Sequence, residues 1–199
     1  MAGIVVVFDF DKTIIDVDSD NWVVDELGAT DLFNQLLSTM PWNTLMDRMM
    51  EELHVQGKTI EEVLKRVPIH PRIVPAIKSA YALGDCFSEI NTNPGYVDEE
   101  GRLQILPYVD FQKFPHDCNL CPPNMCKGMI VERIQVSMAK EGKKRMIYLG
   151  DGIGDFCPME RDFVMPRKDF PAWNLINENR TLVKAGVHEW KNWSTFFYN

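Results

Sequence analysis

No stretch of this 199-residue chain approaches the roughly 20 consecutive apolar residues that a membrane-spanning helix requires. A membrane partner is therefore not expected. Positive charge is also scarce: 21 Lys and Arg stand against 29 Asp and Glu, a formal net charge of −8. Nucleic-acid phosphates are held by clustered Lys and Arg, so no nucleic-acid partner is expected either. The opening residues Met1 to Phe8 lack the basic region and the length of a secretory signal. That points to a cytoplasmic protein, in which the five Cys, an odd number, would be reduced thiols. Repeats, low-complexity tracts and an obvious linker are missing as well, so the chain reads as one domain carrying at most a small cap.

What is present is an ordinary globular composition, 45% hydrophobic, with enough apolar material for a core. Ile4 to Phe8 is an uninterrupted apolar run of the kind found in a parallel strand buried on both faces. From about Ser19 the pattern turns helical. Ser19 or Asp20 is placed to cap a first helix ending at Gly28, and Asp31 a second. Leu45, Met49, Met50 and Leu53 mark a third stripe, Thr59 with Glu62 opens a short fourth helix, and Pro71 to Leu83 reads as a fifth. Phe87–Thr92 is a short strand candidate, Gly95–Gly101 an acidic turn and Leu103–Leu106 a hairpin return. A loop over Pro107–Pro123 precedes an amphipathic helix over Lys127–Ala139, and Met146–Leu149 and Phe163–Met165 read as further strands. The organisation expected is an α/β, Rossmann-like parallel sheet formed by residues 1–15 and 76–199, with residues 16–75 inserted after the first strand as a helical cap.

Two apolar strands each end in paired acids, Asp9 with Asp11 and Asp151 with Asp155. Ligand sites of open α/β sheets lie beyond the carboxyl ends of strands. Four carboxylates gathered there repel one another unless a cation sits among them. An all-oxygen donor set of this kind suits Mg²⁺.

Asp9-Phe10-Asp11-Lys12-Thr13 and Gly150-Asp151-Gly152-Ile153-Gly154-Asp155 resemble the first and fourth motifs of the haloacid dehalogenase superfamily. Lys127 fits its third. The resemblance narrows through Asp18-Ser19-Asp20-Asn21-Trp22 and Cys118-Asn119-Leu120-Cys121-Pro122-Pro123-Asn124-Met125-Cys126-Lys127-Gly128. These look like the phosphoethanolamine/phosphocholine phosphatase family, which includes pyridoxal phosphate phosphatases, and most like plant thiamine phosphate phosphatase-like proteins, with related plant enzymes acting on pyrophosphate. The resemblance implies a Mg²⁺-dependent phosphatase acting on a small phosphorylated metabolite through an aspartyl-phosphate. It makes Asp9 the nucleophile, Asp11 the general acid and base, and Lys127 the neutralising cation. Asp9, Asp11 (through its carbonyl), Asp151 and Asp155 become the metal site. Thr13, Asp20 and Lys127 fall on the substrate side, Thr13 by orienting the loop. Oligomeric state is left open.

The family's second motif, a strand ending in Ser-Asp or Thr, has no counterpart between Ala80 and Ile90. One strand–helix unit of the core is therefore expected to be missing, so that a truncated, weakly active or inactive form is the alternative reading. His188–Asn199 is expected to be an unpacked aromatic tail. Trp22, Trp42, Met46 and Met50 either line a pocket or fill the cap. Cys118, Cys121 and Cys126 with His116 nearby resemble a zinc cluster, against which stand plain thiols in a loop. A zinc-binding interaction module is the reading from another functional class.

Overall fold

The computed structural model describes residues 3–69, 87–143, 145–157 and 162–193. The helix expected over Pro71–Leu83 lies outside them. Along the chain the elements are β1 (Ile4–Phe8), α1 (Ser19–Glu26), α2 (Thr30–Leu36), α3 (Trp42–Val55), α4 (Ile60–Leu64), β2 (Gly95–Val97), β3 (Leu103–Ile105), α5 (Lys127–Lys140), β4 (Arg145–Gly150), β5 (Phe163–Pro166), α6 (Pro171–Glu178) and β6 (Gly186–Val187). β1, β4, β5 and β6 form one parallel sheet in the order β1-β4-β5-β6. The expected α/β architecture with helices inserted after the first strand is thus what the chain adopts. Among the described residues no helix is long and apolar enough to cross a membrane.

Four helices make the cap. Val23, Val24, Phe33, Leu45, Met49 and Leu53 are buried in one cluster, because apolar residues at helical spacing put a stripe of each helix on the same interior. Met46 and Met50 belong to that cluster and are cap core. Trp42 stays exposed, its ring edge-on to Phe33 at 5.7 Å. α1 is capped by Asp18, whose carboxylate accepts the Asn21 amide at 3.2 Å, one position before the caps expected. The expected strand over Phe87–Thr92 is not formed. The hairpin lies later, Gly95–Val97 pairing antiparallel with Leu103–Ile105 around the turn at Gly101, whose φ of +80 suits glycine. Its Leu103 and Ile105 pack on the cap cluster.

The expectation that β1 is buried on both faces does not hold. Val5 and Val7 pack with Val131, Met138 and Met146 under α5, while Ile4, Val6 and Phe8 are exposed. β1 is the edge strand, with no described strand on its outer side. A parallel strand reads as continuously apolar because helices cover both its faces. Here the second face leaves Ile4, Val6 and Phe8 exposed, and no described strand pairs beyond β1.

The tail expectation is overturned over its described part, residues 188–193, while residues 194–199 lie outside the described residues. Trp190 and Trp193 are buried, 5.0 Å apart centre to centre, and cluster with Leu149, Ile14 and Met165. The Trp190 indole donates to the Met165 carbonyl at 3.0 Å and that of Trp193 to the Thr13 carbonyl at 2.7 Å. Large amphipathic rings with a single donor bury well when that donor finds a carbonyl. Helix α6, opened by Pro171, was also not foreseen; Ala172 and Ile176 form its buried face.

This packing predicts that Trp193→Ala costs about 3–5 kcal/mol, as for other buried aromatic truncations. Trp193→Phe, which keeps a ring but leaves the Thr13 carbonyl unpaired, is expected to cost about 1–3 kcal/mol. Urea unfolding measures both, and a Trp193→Ala loss under about 0.5 kcal/mol, the size of a surface substitution, would contradict a packed tail.

Candidate active site

β1 and β4 lie side by side in register, Phe8 opposite Leu149. The Asp9 amide carries the ladder one step further by donating to the Leu149 carbonyl at 2.8 Å. The two strand tips therefore deliver Asp9 and Asp151 to the same sheet end. After Gly150 the chain makes a tight turn over Ile153–Phe156 that brings Asp155 back onto the strand end. A Cβ on Gly150 would lie 2.4 Å from the Asp155 carboxyl, so that approach requires glycine. One carboxylate oxygen from each of Asp9, Asp151 and Asp155 lies within 4.8 Å of the other two.

Lys127, the first residue of α5, reaches into this group. Its Nζ donates to Asp9 Oδ1 at 2.9 Å and to Asp155 Oδ1 at 2.8 Å. Asp155 is held further by the Tyr148 hydroxyl at 2.6 Å and by the Gly152 amide at 2.8 Å. Asp11 sits apart from the cluster: its Oδ1 accepts the Ser19 amide at 3.0 Å, at the start of the cap's first helix. Thr13 has no exposed surface; it lies beneath the loop, its carbonyl holding Trp193. Asp20 stands in the first turn of α1, near Asp11 and Asp18 and within hydrogen-bonding reach of Trp42. The structure thus joins Asp9, Lys127, Asp151 and Asp155 in one cluster and sets Asp11 and Asp20 at the junction with the cap.

Two supporting residues carried no signal in the sequence. Tyr148 reads there only as part of an apolar strand. Arg167 follows β5 and binds the Lys12 carbonyl and, at 2.8 Å, Asp16 Oδ1. It is stacked over Phe170 with its guanidinium 4.5 Å from the ring centre. Lys12 has a φ of +50, so Arg167 grips the loop where a non-glycine residue takes a left-handed conformation.

Electrostatics follow from this crowding. Burial first, then repulsion by Asp155 and Asp9, pushes the Asp151 carboxyl up to about 7. Burial and Asp155 raise Asp9 to about 6 despite Lys127. Asp20 rises to about 6 through burial, with Asp11 and Asp18 adding to it, and burial raises Asp11 also. Burial works against charge on Lys127, but Asp155 and Asp9 outweigh it and hold the ammonium above its ordinary range.

The donor set fits a hard divalent cation. Asp155 has three donors on its two oxygens, whereas no hydrogen bond reaches the Asp151 carboxylate among the described residues. Asp9 and Asp151 are thus the carboxylates with lone pairs to give, and Asp155 stands behind them.

The family model described as "Putative Phosphatase" matches residues 4–84 and 78–196. The chain belongs to that phosphatase family. It is 64% identical to inorganic pyrophosphatase 1 of Arabidopsis thaliana, over 92% of this chain and 73% of that one. It is 48% identical to a thiamine phosphate phosphatase-like protein of the same plant, over 96% and 91%. The likeness expected to the thiamine phosphate phosphatase-like proteins is therefore present, but identity to the pyrophosphatase is higher. Human phosphoethanolamine/phosphocholine phosphatase is 28% identical over 92% and 83%. A substrate-bound phosphoserine phosphatase shares the fold, with a TM-score of 0.56, 12% identity and coverage of 100% and 98%. The family match comes in two stretches meeting at 78–84, and the pyrophosphatase alignment, at 215 positions, is longer than the chain. The relative therefore has residues inside the matched span that this chain lacks.

The raised carboxyls predict a pH signature. In the folded state Asp9 and Asp151 hold protons up to about pH 6 and 7, whereas their unfolded value is 3.8. Their contribution to stability is therefore present at low pH and lost as pH rises from about 4 to 7. In EDTA the cluster should lower Tm over that window. Excess Mg²⁺ should raise Tm above pH 7 and leave it nearly unchanged at pH 5. A Mg²⁺ effect equal at both pH values, measured by thermal shift, would contradict this electrostatic account.

Proposed function

We propose that this chain is a Mg²⁺-dependent phosphatase that hydrolyses pyrophosphate or a small phosphomonoester such as thiamine phosphate, phosphocholine, phosphoethanolamine or pyridoxal phosphate. The observation that carries the reading is Lys127 bonded at once to Asp9 and Asp155, beside the Asp151 carboxylate, which no hydrogen bond reaches among the described residues. Asp9 attacks phosphorus through a carboxylate oxygen while the bond to the leaving oxygen breaks, and Asp11 supplies that oxygen with a proton. A water then attacks the aspartyl-phosphate, its proton passing to Asp11, and phosphate departs with Asp9 restored. Lys127 lies where it meets charge on both Asp9 and the incoming phosphoryl group. Mg²⁺, held by the Asp9 and Asp151 carboxylates and the Asp11 carbonyl with Asp155 behind, would neutralise phosphate charge and let an anionic nucleophile approach. Asp20, beside exposed Trp42, is assigned to the leaving group at the cap junction.

One observation favours a slow form of the same chemistry. β1 has no described neighbour on the side where the second motif's strand would stand. The hydroxyl and amide donors of that motif are then missing, and one such donor is worth ~10²–10³-fold in rate.

Phosphate release from pyrophosphate and from a panel of small esters, in Mg²⁺ and in EDTA, tests both readings. Activity is expected with Mg²⁺ alone. Asp9→Asn should lower it at least ~10³-fold, by loss of the nucleophile, and Lys127→Ala ~10²-fold or more. Grafting in the residues that the pyrophosphatase relative carries and this chain lacks should raise kcat. Turnover that survives Asp9→Asn would reject the mechanism.

A further inference from the structure

A second cluster of metal-ligating side chains lies behind the carboxylates, and the proposed phosphatase chemistry does not use it. The Sγ atoms of Cys118, Cys121, Cys126 and Cys157 all lie within 4.8 Å of one another. Cys118 and Cys157 are 3.2 Å apart and Cys126 and Cys157 3.9 Å. A disulfide needs sulfurs at about 2.05 Å, and these pairs are well outside that. Four thiolates at about 2.3 Å from one tetrahedral ion stand about 3.8 Å from one another, which is the spacing the cluster approaches. We propose that these four cysteines bind one zinc ion in a tetrahedral thiolate site that ties the Lys127 helix to the Asp155 loop.

His116, the fourth ligand suggested by proximity in sequence, is not part of it. Its Nε2 is 3.0 Å from the Pro122 carbonyl and its Nδ1 accepts the Cys118 amide at 3.3 Å. Cys157 takes the place instead, from 31 residues beyond Cys126. The surroundings are shaped to the sulfurs. Gly128, in the first turn of α5, could not carry a side chain, since a Cβ there would be 2.6 Å from Cys157 Sγ and 3.6 Å from Cys126 Sγ. The Leu120 amide points to Cys118 Sγ at 3.4 Å, the kind of donor that supports a thiolate ligand. Cys121 and Cys126 are buried, and the loop over 107–125 that supplies two of the four ligands contains no helix or strand. Soft sulfur donors select zinc over Mg²⁺, so the two clusters take different ions.

The placement states what the ion does. Cys126 is the residue before Lys127 and caps α5, and Cys157 is two residues after Asp155. A zinc bridging them fixes both backbones of the 2.8 Å Lys127–Asp155 contact. The inference does not depend on turnover, because metal content is read without substrate.

The test is elemental analysis of the purified full chain, kept under reductant and dialysed against EDTA. One zinc per chain is expected in the wild type, in Asp9→Asn and in His116→Ala, and release by a mercurial thiol reagent. Cys157→Ser should lose most of the zinc and show a lower Tm. Should that variant not fold, protein produced with Co²⁺ gives an independent reading: thiolate-to-cobalt charge-transfer bands and the visible bands of a tetrahedral ion. Zinc lost in Asp9→Asn, a stoichiometric iron in its place, or a metal-free wild type with a Cys118–Cys157 disulfide would each overturn the proposal.

Discussion

The site depends on one ammonium between two carboxylates. Lys127 touches Asp9 and Asp155 together, and without it three acids at a buried strand end would lose the ion pairs that hold two of them. Even with it the Asp9 and Asp151 carboxyls are raised, first by burial and then by the repulsion of the neighbouring acids. The proposed function places a cation there and, with the cation, phosphate. The other contacts hold the arrangement still. Tyr148 and the Gly152 amide fix Asp155, the bare Cα of Gly150 lets it approach, and Arg167 pins the loop that follows Asp9.

Among the described residues, the sheet that builds this site has no strand beyond β1. Its four strands run from β1 at one edge to β6 at the other, and β1 shows Ile4, Val6 and Phe8 to solvent. Chain that relatives possess is missing within the matched span. Among the described residues, the strand that ends in Asp9 is braced from the β4 side, by α5 on one face and by Trp193 near Phe8 on the other. Trp193 of the last segment thus supplies packing for Phe8 on that face.

Much of this was legible in the sequence because chemistry and pattern coincided. Asp9 and Asp151 each close an apolar run, and a strand followed by acids is readable without coordinates. Lys127 and the cap helices were legible from motif likeness and helical spacing. What failed were judgements about neighbours. The Ile4–Phe8 run has the composition of a doubly covered strand, and nothing local tells that one cover is missing. Trp193 looked like a loose end because its partner, the Thr13 carbonyl, is 180 residues away. That Cys157 rather than His116 lies with the other three sulfurs was hidden for the same reason: residues close in sequence stood in for residues close in space.

The bond between Asp11 and the Ser19 amide has a consequence for how the two parts of the molecule act together. The first helix after β1 begins on Asp11, the carboxylate to which the proposed mechanism gives the departing oxygen's proton. Any swing of the helical lobe must carry that side chain along or break its anchor. In the proposed mechanism a rigid helical lobe and a mobile one would therefore differ in proton delivery as well as in access.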